Sequence, residues 1–318
     1  MRIRASIERR IGSFRENRSV PPPIVFHPAY EAALPEGHRF PMAKYGRLAQ
    51  VLERGGLVPA GFVRPEPAGP ELIGLAHEAS YVDAVLTQTV SRAVERAIGL
   101  PVDAGVAARA CASAGDTLAA ARLALAHGLA GSAAGGSHHA RREGGAGFCL
   151  FNDVAIAARA LRNEGSIARA LVVDLDVHQG DGTADCLSRE PDLFTLSVHA
   201  QNNYPGDKIA GDLDVGLADG LGDGDYLRAV EAHLGSLLDA FAPDLVFYNA
   251  GVDPHRDDRL GRLALSDEGL RARDRLVVEA VRRRAIPLAA VIGGGYASDI
   301  DALAARHAIV FETMASLG

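Results

Sequence analysis

The stretch 171–182, LVVDLDVHQGDG, restricts the fold more than any other part of this chain. A run of apolar residues leads into Asp174, Asp176 and His178 and then breaks at glycine. This pattern predicts a buried strand that ends in a loop of polar side chains. In a parallel α/β sheet, loops at the carboxyl ends of the strands form the functional site. We therefore expect a site here.

The spacing of Asp176 and His178 indicates a pair of metal ligands. Residues two apart on a strand point to the same face, so both side chains could bind one ion. A carboxylate oxygen with an imidazole nitrogen favours a first-row transition metal over calcium or magnesium. The plainer alternative is a strand that ends in a capped turn, with the carboxylates in water.

Composition excludes several classes of protein. A net charge of −7 and a pI of about 5.9 indicate no broad basic surface for nucleic acid. The apolar runs are short, which argues against a membrane span and a signal peptide. Cys111, Cys149 and Cys186 form no CxxC motif, so we expect a cytoplasmic protein without disulfides or cysteine-bound zinc.

Strand and helix patterns alternate along residues 21–318, with no repeat of fixed period. Because the strands are apolar and uncharged, the alternation predicts one α/β domain with a parallel sheet covered on both faces. Residues 1–20 carry six arginines and precede three prolines. We predict that they form an appended tail that could be disordered.

The periodicity of the sequence predicts individual elements. The predicted strands cover residues 24–26, 171–173, 193–199, 245–249 and 287–292. The predicted helices cover residues 43–54, 81–98, 106–127, 153–164, 225–240, 266–284 and 298–316. The acidic, glycine-rich segment 211–226 lacks the closing glutamate of an EF-hand, so we predict solvated turns there.

Asp253 follows another predicted strand and completes a set of three ligands with Asp176 and His178. Three protein ligands leave a fourth position for water or substrate, as in catalytic zinc sites. A bound metal lowers the pKa of such a water and polarises a neighbouring carbonyl, so the pattern predicts a hydrolytic site.

Further polar residues follow other predicted segments. His138 and His139 are adjacent and point in different directions on an extended backbone, so each needs its own partner. Asp174 and Asp181 are available for two possible His–Asp pairs. Tyr296 follows three glycines and could donate a hydrogen bond to a developing oxyanion. Each feature alone could instead be an ordinary loop, but together they favour a catalytic site.

Five motifs resemble those of the histone deacetylase superfamily. They are GGSHH at 135–139, GAGFCLFND at 145–153, DLDVHQGDG at 174–182, NAGVD with DRLG at 249–253 and 258–261, and GGGY at 293–296. The resemblance covers residues 21–318 and implies an arginase-like α/β fold with a mostly parallel sheet of about eight strands. The flanking sequences PIVFHP, YNAGVD and VHAQNNYPGD are most similar to class IV.

The resemblance also implies the metals. One zinc ion would bind to Asp176, His178 and Asp253. A structural potassium ion would bind beside it, at Asp174, Ser197 and nearby backbone carbonyls.

For catalysis, the resemblance implies that His139, paired with Asp181, is the general base and acid. His138, paired with Asp174, would be its electrostatic neighbour, and Tyr296 would stabilise the oxyanion.

A narrow tunnel for an extended acyl-lysine is implied as well. Its lining would comprise Gly147, Phe148, Tyr204, Leu260, Gly294 and Gly295. Two residues depart from the family pattern: Tyr204 replaces a common phenylalanine, and His255 has no family role, so we expect it in a surface loop. We find no match for the aspartate that grips the substrate backbone in class I enzymes.

These observations predict a zinc-dependent amide hydrolase that removes acetyl or longer acyl groups from lysine in a peptide or protein. One alternative substrate is a small acylated amine such as an acetylpolyamine. A two-metal arginase or agmatinase is a further alternative, although Gly180 stands where a second-metal aspartate is needed. A non-catalytic acyl-lysine binding protein would have lost a ligand, the base or the tyrosine, and all are present.

Overall fold

The computed structural model describes residues 20–318 and contains one sheet of seven parallel strands. The strands are β1 Ile24–Val25, β2 Leu129–Ser132, β3 Ala170–Asp174, β4 Leu193–Ala200, β5 Leu213–Leu217, β6 Leu245–Asn249 and β7 Leu288–Val291. Their spatial order is β1-β2-β7-β6-β3-β4-β5. The predicted parallel α/β fold is confirmed, with seven strands in the described part of the chain where the resemblance implies about eight. Most of the predicted tail, residues 1–19, lies outside the described residues.

Ten α-helices connect and cover these strands within residues 20–318. They are α1 Lys44–Arg54, α2 Pro70–Ile73, α3 Ala79–Leu86, α4 Arg92–Ile98, α5 Ala104–His127, α6 Asp153–Asn163, α7 Asp181–Leu187, α8 Asp223–Phe241, α9 Asp267–Arg282 and α10 Ile300–Leu317. Side-chain caps explain where several helices begin. Asp103 caps α5, Asn152 caps α6 and Ser266 caps α9, and each side chain accepts a hydrogen bond from a backbone N–H in the first turn of its helix.

The central strand β3 shows why the organising stretch forms buried sheet. Leu171, Val172 and Val173 are at most 2% exposed, because helices cover both faces. From β3, the chain continues to β4 on one side, while β6 pairs with β3 on the other. A site opens at such a point, where the connections diverge.

Two predicted elements were wrong. Segment 81–98 is two helices, α3 and α4, because Gln88 has a left-handed backbone with φ of 55° and interrupts the helix. The acidic segment predicted as solvated turns contains β5, an edge strand that pairs with β4. Its apolar residues are more buried than Asp214 and Gly216 between them, which is the alternation of a half-covered strand.

Candidate active site

The predicted site residues converge at the carboxyl ends of four neighbouring strands. His138 and His139 follow β2, Tyr296 follows β7, and Asp253 follows β6, while the Asp176 loop follows β3. Adjacent parallel strands end on the same edge of the sheet, so residues more than 100 positions apart meet there.

Asp176, His178 and Asp253 form a compact group of potential metal ligands. Nδ1 of His178 lies 3.1 Å from Oδ1 of Asp176 and 3.1 Å from Oδ2 of Asp253. One donor atom from each residue lies within 4.8 Å of the others, and all three residues are buried. It is the one group of three or more such residues in the described range, 20–318, that could hold a metal ion.

The electrostatics of this group fit a cation. Burial and the charge of Asp176 raise the pKa of Asp253 to about 7, because two carboxylates are confined together. Burial opposes ionisation of Asp176 too, yet the charges of His138 and His178 hold its pKa well below the usual range. A divalent cation would stabilise both carboxylates in their ionised forms. The mixed oxygen and nitrogen donors suit zinc or a related transition metal.

Glycine leaves room for the carboxylates of this group. A Cβ atom on Gly251 would collide with Oδ2 of Asp176, and one on Gly294 would collide with Oδ2 of Asp253. The N–H of Gly294 also donates to Oδ2 of Asp176 at 2.7 Å. The glycines after β6 and β7 therefore let the backbone approach the predicted ligands closely.

The two histidines beside the metal group form separate pairs with aspartates. Nδ1 of His138 lies 2.7 Å from Oδ2 of Asp174, and Nδ1 of His139 lies 2.6 Å from Oδ1 of Asp181. All four residues are buried. These are the pairs that the family resemblance implies, whereas the residues alone left the pairing open. Nε2 of each imidazole is left to face the site.

The neighbours of each pair give the imidazoles different protonation states. Burial disfavours charged His138, but the charges of Asp174 and Asp176 raise its pKa to about 9. Burial and the positive charge of His138 lower the pKa of His139 to about 4, despite the hydrogen bond to Asp181. His139 is thus neutral at pH 7 and able to accept a proton.

The backbone of Tyr296 is held by a residue to which sequence reasoning assigned no role. The N–H of Tyr296 donates to Oδ2 of Asp258 at 2.6 Å, and the N–H groups of Leu260 and Gly261 donate to Oδ1 of the same carboxylate. The available signal was the DRLG motif, which contains Asp258. The ring of Tyr296 lies 6.2 Å from the ring of His178, next to the predicted metal.

Aromatic residues surround the approach to the histidines. The ring of Tyr204 packs edge-on against His139 at 4.7 Å, and the ring of Phe148 lies 5.7 Å from Tyr296. A Cβ on Gly147 would lie 2.5 Å from His139 and 3.0 Å from the Tyr204 ring. Only glycine therefore leaves a passage between them.

The backbone at Phe148 adopts an uncommon conformation. Its φ is 67°, directly after Gly147 at 52°. A left-handed conformation costs a non-glycine residue roughly 1–2 kcal/mol. The N–H of Phe148 donates to the carbonyl of Ile98 at 2.6 Å, which helps to hold the turn. Strain of this kind concentrates where function fixes a side chain.

Other predicted residues also lie at this edge of the sheet. Leu260 is partly buried, and its carbonyl accepts a hydrogen bond from Asn203, next to Tyr204. Gly295 is buried and directly precedes Tyr296. Ser197 aligns with Asp174 on the adjacent strand, and its hydroxyl lies 2.9 Å from Nδ1 of His199.

The expectation for His255 was wrong, because this residue is buried rather than part of a surface loop. Its exposure is 4%, its Nδ1 accepts from the N–H of Asp257, and its Nε2 lies 3.2 Å from Oδ1 of Asp267. These contacts attach the loop after Asp253 to the start of α9. The sequence signal was slight, since histidine suits both loops and interiors.

This chain is similar to known proteins over most of its residues. The sequence model of the histone deacetylase domain family matches residues 38–313 of this chain. An uncharacterized protein of Picosynechococcus sp. is 46% identical over 91% of this chain and 96% of that protein. Histone deacetylase 2 of Arabidopsis thaliana is 31% identical, over 86% of this chain and 74% of its own length.

The solved structures include a similar fold. The HD domain of HDA15 superimposes with a TM-score of 0.80 and 22% identity, covering 94% of this chain and 88% of that domain. Among residues 20–318, none of the helices combines the length and apolar character needed to cross a bilayer. The match of the family model to residues 38–313 covers most of the chain. The chain therefore belongs to the histone deacetylase family, whose members are deacetylase-like hydrolases.

Proposed function

We propose that this protein is a zinc-dependent hydrolase that removes acyl groups from the ε-amine of lysine. The observation that carries the proposal is the placement of Asp176, His178 and Asp253 beside two His–Asp pairs and Tyr296. The sequences PIVFHP, YNAGVD and VHAQNNYPGD support the class IV branch.

Asp176, His178 and Asp253 would hold the zinc ion. When bound, the ion supplies Lewis-acid activation of the amide carbonyl and of water. The residues of the chain provide the other chemical functions.

His139 is the group positioned to move the proton. Neutral Nε2 accepts a proton from the attacking water, while Asp181 holds Nδ1 and fixes the tautomer. The protonated imidazole then donates to the nitrogen of the leaving lysine amine. The amide C–N bond breaks, and the products are a carboxylate and a free amine.

Tyr296 donates its hydroxyl proton in a hydrogen bond to the substrate carbonyl oxygen as negative charge develops there. Burial, followed by the charges of Asp176 and Asp253, raises the pKa of Tyr296, so the phenol keeps its proton. Preorganised donors of this kind stabilise the transition state because they need no reorganisation. Phe148 and Tyr204 would shield the aliphatic stem of lysine from water.

A monovalent cation next to this site is part of the proposal. Asp174 and Ser197 are register partners on β3 and β4, which supports a shared potassium ion. Asp174 also accepts hydrogen bonds from Asn249 and from the N–H of Asp176, so it connects that position to the zinc ligands.

The single three-ligand group in the described range favours this mechanism over a two-metal arginase type. Acyl-lysine peptides and acetylpolyamines would use the same catalytic residues. Comparison of kcat/KM for the two substrates decides between them.

Tyr296→Phe tests the proposal. Loss of one oxyanion donor should lower kcat on an acetyl-lysine peptide by about 10²–10³-fold. Elemental analysis should find the zinc content unchanged. Tyr81→Phe is the matched control, because that buried hydroxyl donates to the Leu150 carbonyl and bonds to the backbone of Gly145 instead of a predicted catalytic residue. Full activity of Tyr296→Phe, or of protein stripped of metal with a chelator, would refute the mechanism.

A further inference from the structure

Two buried basic side chains that share the rings of Phe40 and Tyr45 have no acidic partner in the described residues. Lys44 is 1% exposed and Arg109 is 6% exposed, yet neither forms an ion pair with a carboxylate of residues 20–318. Nζ of Lys44 donates to the carbonyl of Gly293 at 3.1 Å, and the guanidinium of Arg109 donates to the hydroxyl of Tyr45. Nε of Arg109 has no hydrogen-bond partner. Buried lysine and arginine are almost always paired, so this arrangement lacks an anion.

Aromatic rings enclose the two cations. The ring of Phe40 lies 5.7 Å from Nζ of Lys44 and 5.3 Å from Cζ of Arg109, and that of Tyr45 lies 5.4 Å and 4.9 Å from the same atoms. The ring of Tyr296 is 5.8 Å from Nζ. Ring faces stabilise cations but bring no negative charge. The enclosure also holds Lys44 close to the proposed oxyanion donor.

Other ionisable groups nearby do not supply the missing charge. His307 is buried, and both of its ring nitrogens lack partners. Burial and the charge of Lys44 hold the pKa of His307 well below its ordinary value, so it is neutral. Asp116, on the same helix as Arg109, bonds to the hydroxyl of Tyr30 instead.

Lys44 contacts the glycine loop that borders the predicted metal ligands. Gly293, which accepts from Lys44, directly precedes Gly294, which donates to Asp176. Gly293 and Ser137 keep some exposed surface, whereas Lys44 and the predicted ligands are buried. In the proposed function the lysine stem of a substrate passes Gly147 towards the surface, so the acyl chain beyond the carbonyl extends inward, towards Lys44.

We propose that Lys44 and Arg109 form a carboxylate-binding site that receives the distal carboxylate of a short dicarboxylic acyl group such as succinyl. This inference rests on the proposed lysine deacylase function and names its acyl class. Charge-assisted hydrogen bonds from an ammonium and from the unpaired Nε would neutralise the buried cations. Water adds across the amide as before, and the products are a dicarboxylate and the lysine amine.

The first experiment compares two acyl groups of the same shape on one peptide. Succinyl-lysine carries a carboxylate where 4-methylpentanoyl-lysine carries two methyl groups. With metal-loaded full-length protein, kcat/KM should favour succinyl, and Lys44→Met should lower the succinyl to 4-methylpentanoyl ratio by at least about tenfold, the effect of one charge-assisted hydrogen bond. Lys44→Arg should retain most of the preference. Arg109→Met is a second variant with the same expectation.

Arg47→Met is the matched control. Arg47 lies one turn along α1 and pairs with Asp301 at the surface, so its loss removes a charge from the same helix and leaves the contacts of Lys44 and Arg109 in place. The succinyl to 4-methylpentanoyl ratio of Arg47→Met should equal that of the wild type. A wild-type preference for 4-methylpentanoyl, or a ratio unchanged in both Lys44→Met and Arg109→Met, would overturn the proposal.

The second experiment needs no turnover. Calorimetry should show that succinate binds the metal-loaded protein at least about tenfold more weakly after Lys44→Met. Lys44→Met could instead weaken the binding of acetate but leave succinate binding and the succinyl to 4-methylpentanoyl ratio unchanged. In that case the site serves the released carboxylate, and the dicarboxylic inference is wrong. If no acyl-lysine is hydrolysed, the proposed function fails, and succinate binding still decides whether the carboxylate site exists.

Discussion

The two His–Asp pairs of the candidate site have the same composition and nearly the same geometry, yet their imidazoles differ in protonation. The histidine to aspartate distances are 2.7 and 2.6 Å. The pKa is raised to about 9 in His138 and lowered to about 4 in His139. The aspartate bonded to each histidine therefore does not by itself determine the pKa of that histidine. The groups beyond the aspartate do.

The charges around each imidazole explain the difference, because Asp176 raises the pKa of His138 and charged His138 lowers that of His139. Asp181 also accepts two hydrogen bonds from the guanidinium of Arg141, at 2.9 and 2.7 Å, so its negative charge is shared between this cation and the imidazole of His139. Asp174 has no arginine partner among residues 20–318, and besides His138 it accepts from the amide of Asn249 and the N–H of Asp176. A second carboxylate, Asp176, lies 3.6 Å from Nε2 of His138 and raises its pKa further. A cation bound at Asp176 would offset part of that increase.

The largest expected difference between the pairs is in proton transfer. His139→Gln should lower kcat on an acetyl-lysine peptide by roughly 10²–10⁴-fold, because a neutral imidazole is lost as general base. His138→Gln should cost less, about 10–100-fold, the range for residues that support a metal site. Steady-state kinetics with zinc content checked for each variant measures this. A greater loss for His138→Gln would reverse the assigned roles.

The aspartates should differ in their effect on metal binding. Asp174→Asn should weaken zinc affinity by roughly 10–100-fold, because Asp174 accepts the N–H of the predicted ligand Asp176. Asp181→Asn should leave the affinity unchanged and lower kcat, since Asp181 holds only the general base and Arg141. Competition against a chromogenic chelator measures the affinity. Equal losses of zinc affinity would show that the two pairs are not separate units.

Features that depend on local pattern were predictable from the sequence. The apolar run at 171–173 lies in β3, and α6 begins at the position that Asn152 caps. The strand β2 was missed because leucine, alanine, glycine and serine give a weak strand signal. The edge strand β5 was missed because its exposed positions hold aspartate and glycine, which are typical of turns.

The chemistry of the site was predictable only as a set of residue types. The order of the motifs indicated that aspartates, histidines and a tyrosine would meet at one edge of the sheet. The contact between Arg141 and Asp181 joins α7 to a turn 40 residues earlier, and no periodicity encodes it. The burial of Lys44 without an acidic partner likewise depends on packing between α1 and the loop after β7.

The smallest expected effect tests whether Arg141 sets the difference between the pairs. In Arg141→Met the carboxylate of Asp181 is no longer shared, so it stabilises protonated His139 more strongly and raises its pKa. The base form is then lost at a higher pH. The acid limb of kcat/KM should therefore move to higher pH, by less than about one unit because Arg141 is partly exposed and screened.

Arg142→Met is the control for this variant. The side chains of Arg141 and Arg142 are 39% and 38% exposed, and Arg142 pairs with Glu78 instead of Asp181. Its pH profile should match that of the wild type. If Arg141→Met leaves the acid limb in place while Arg142→Met also has no effect, the low pKa of His139 arises from burial and His138 alone. The pKa of His139 would then be low only because it is buried and lies beside charged His138.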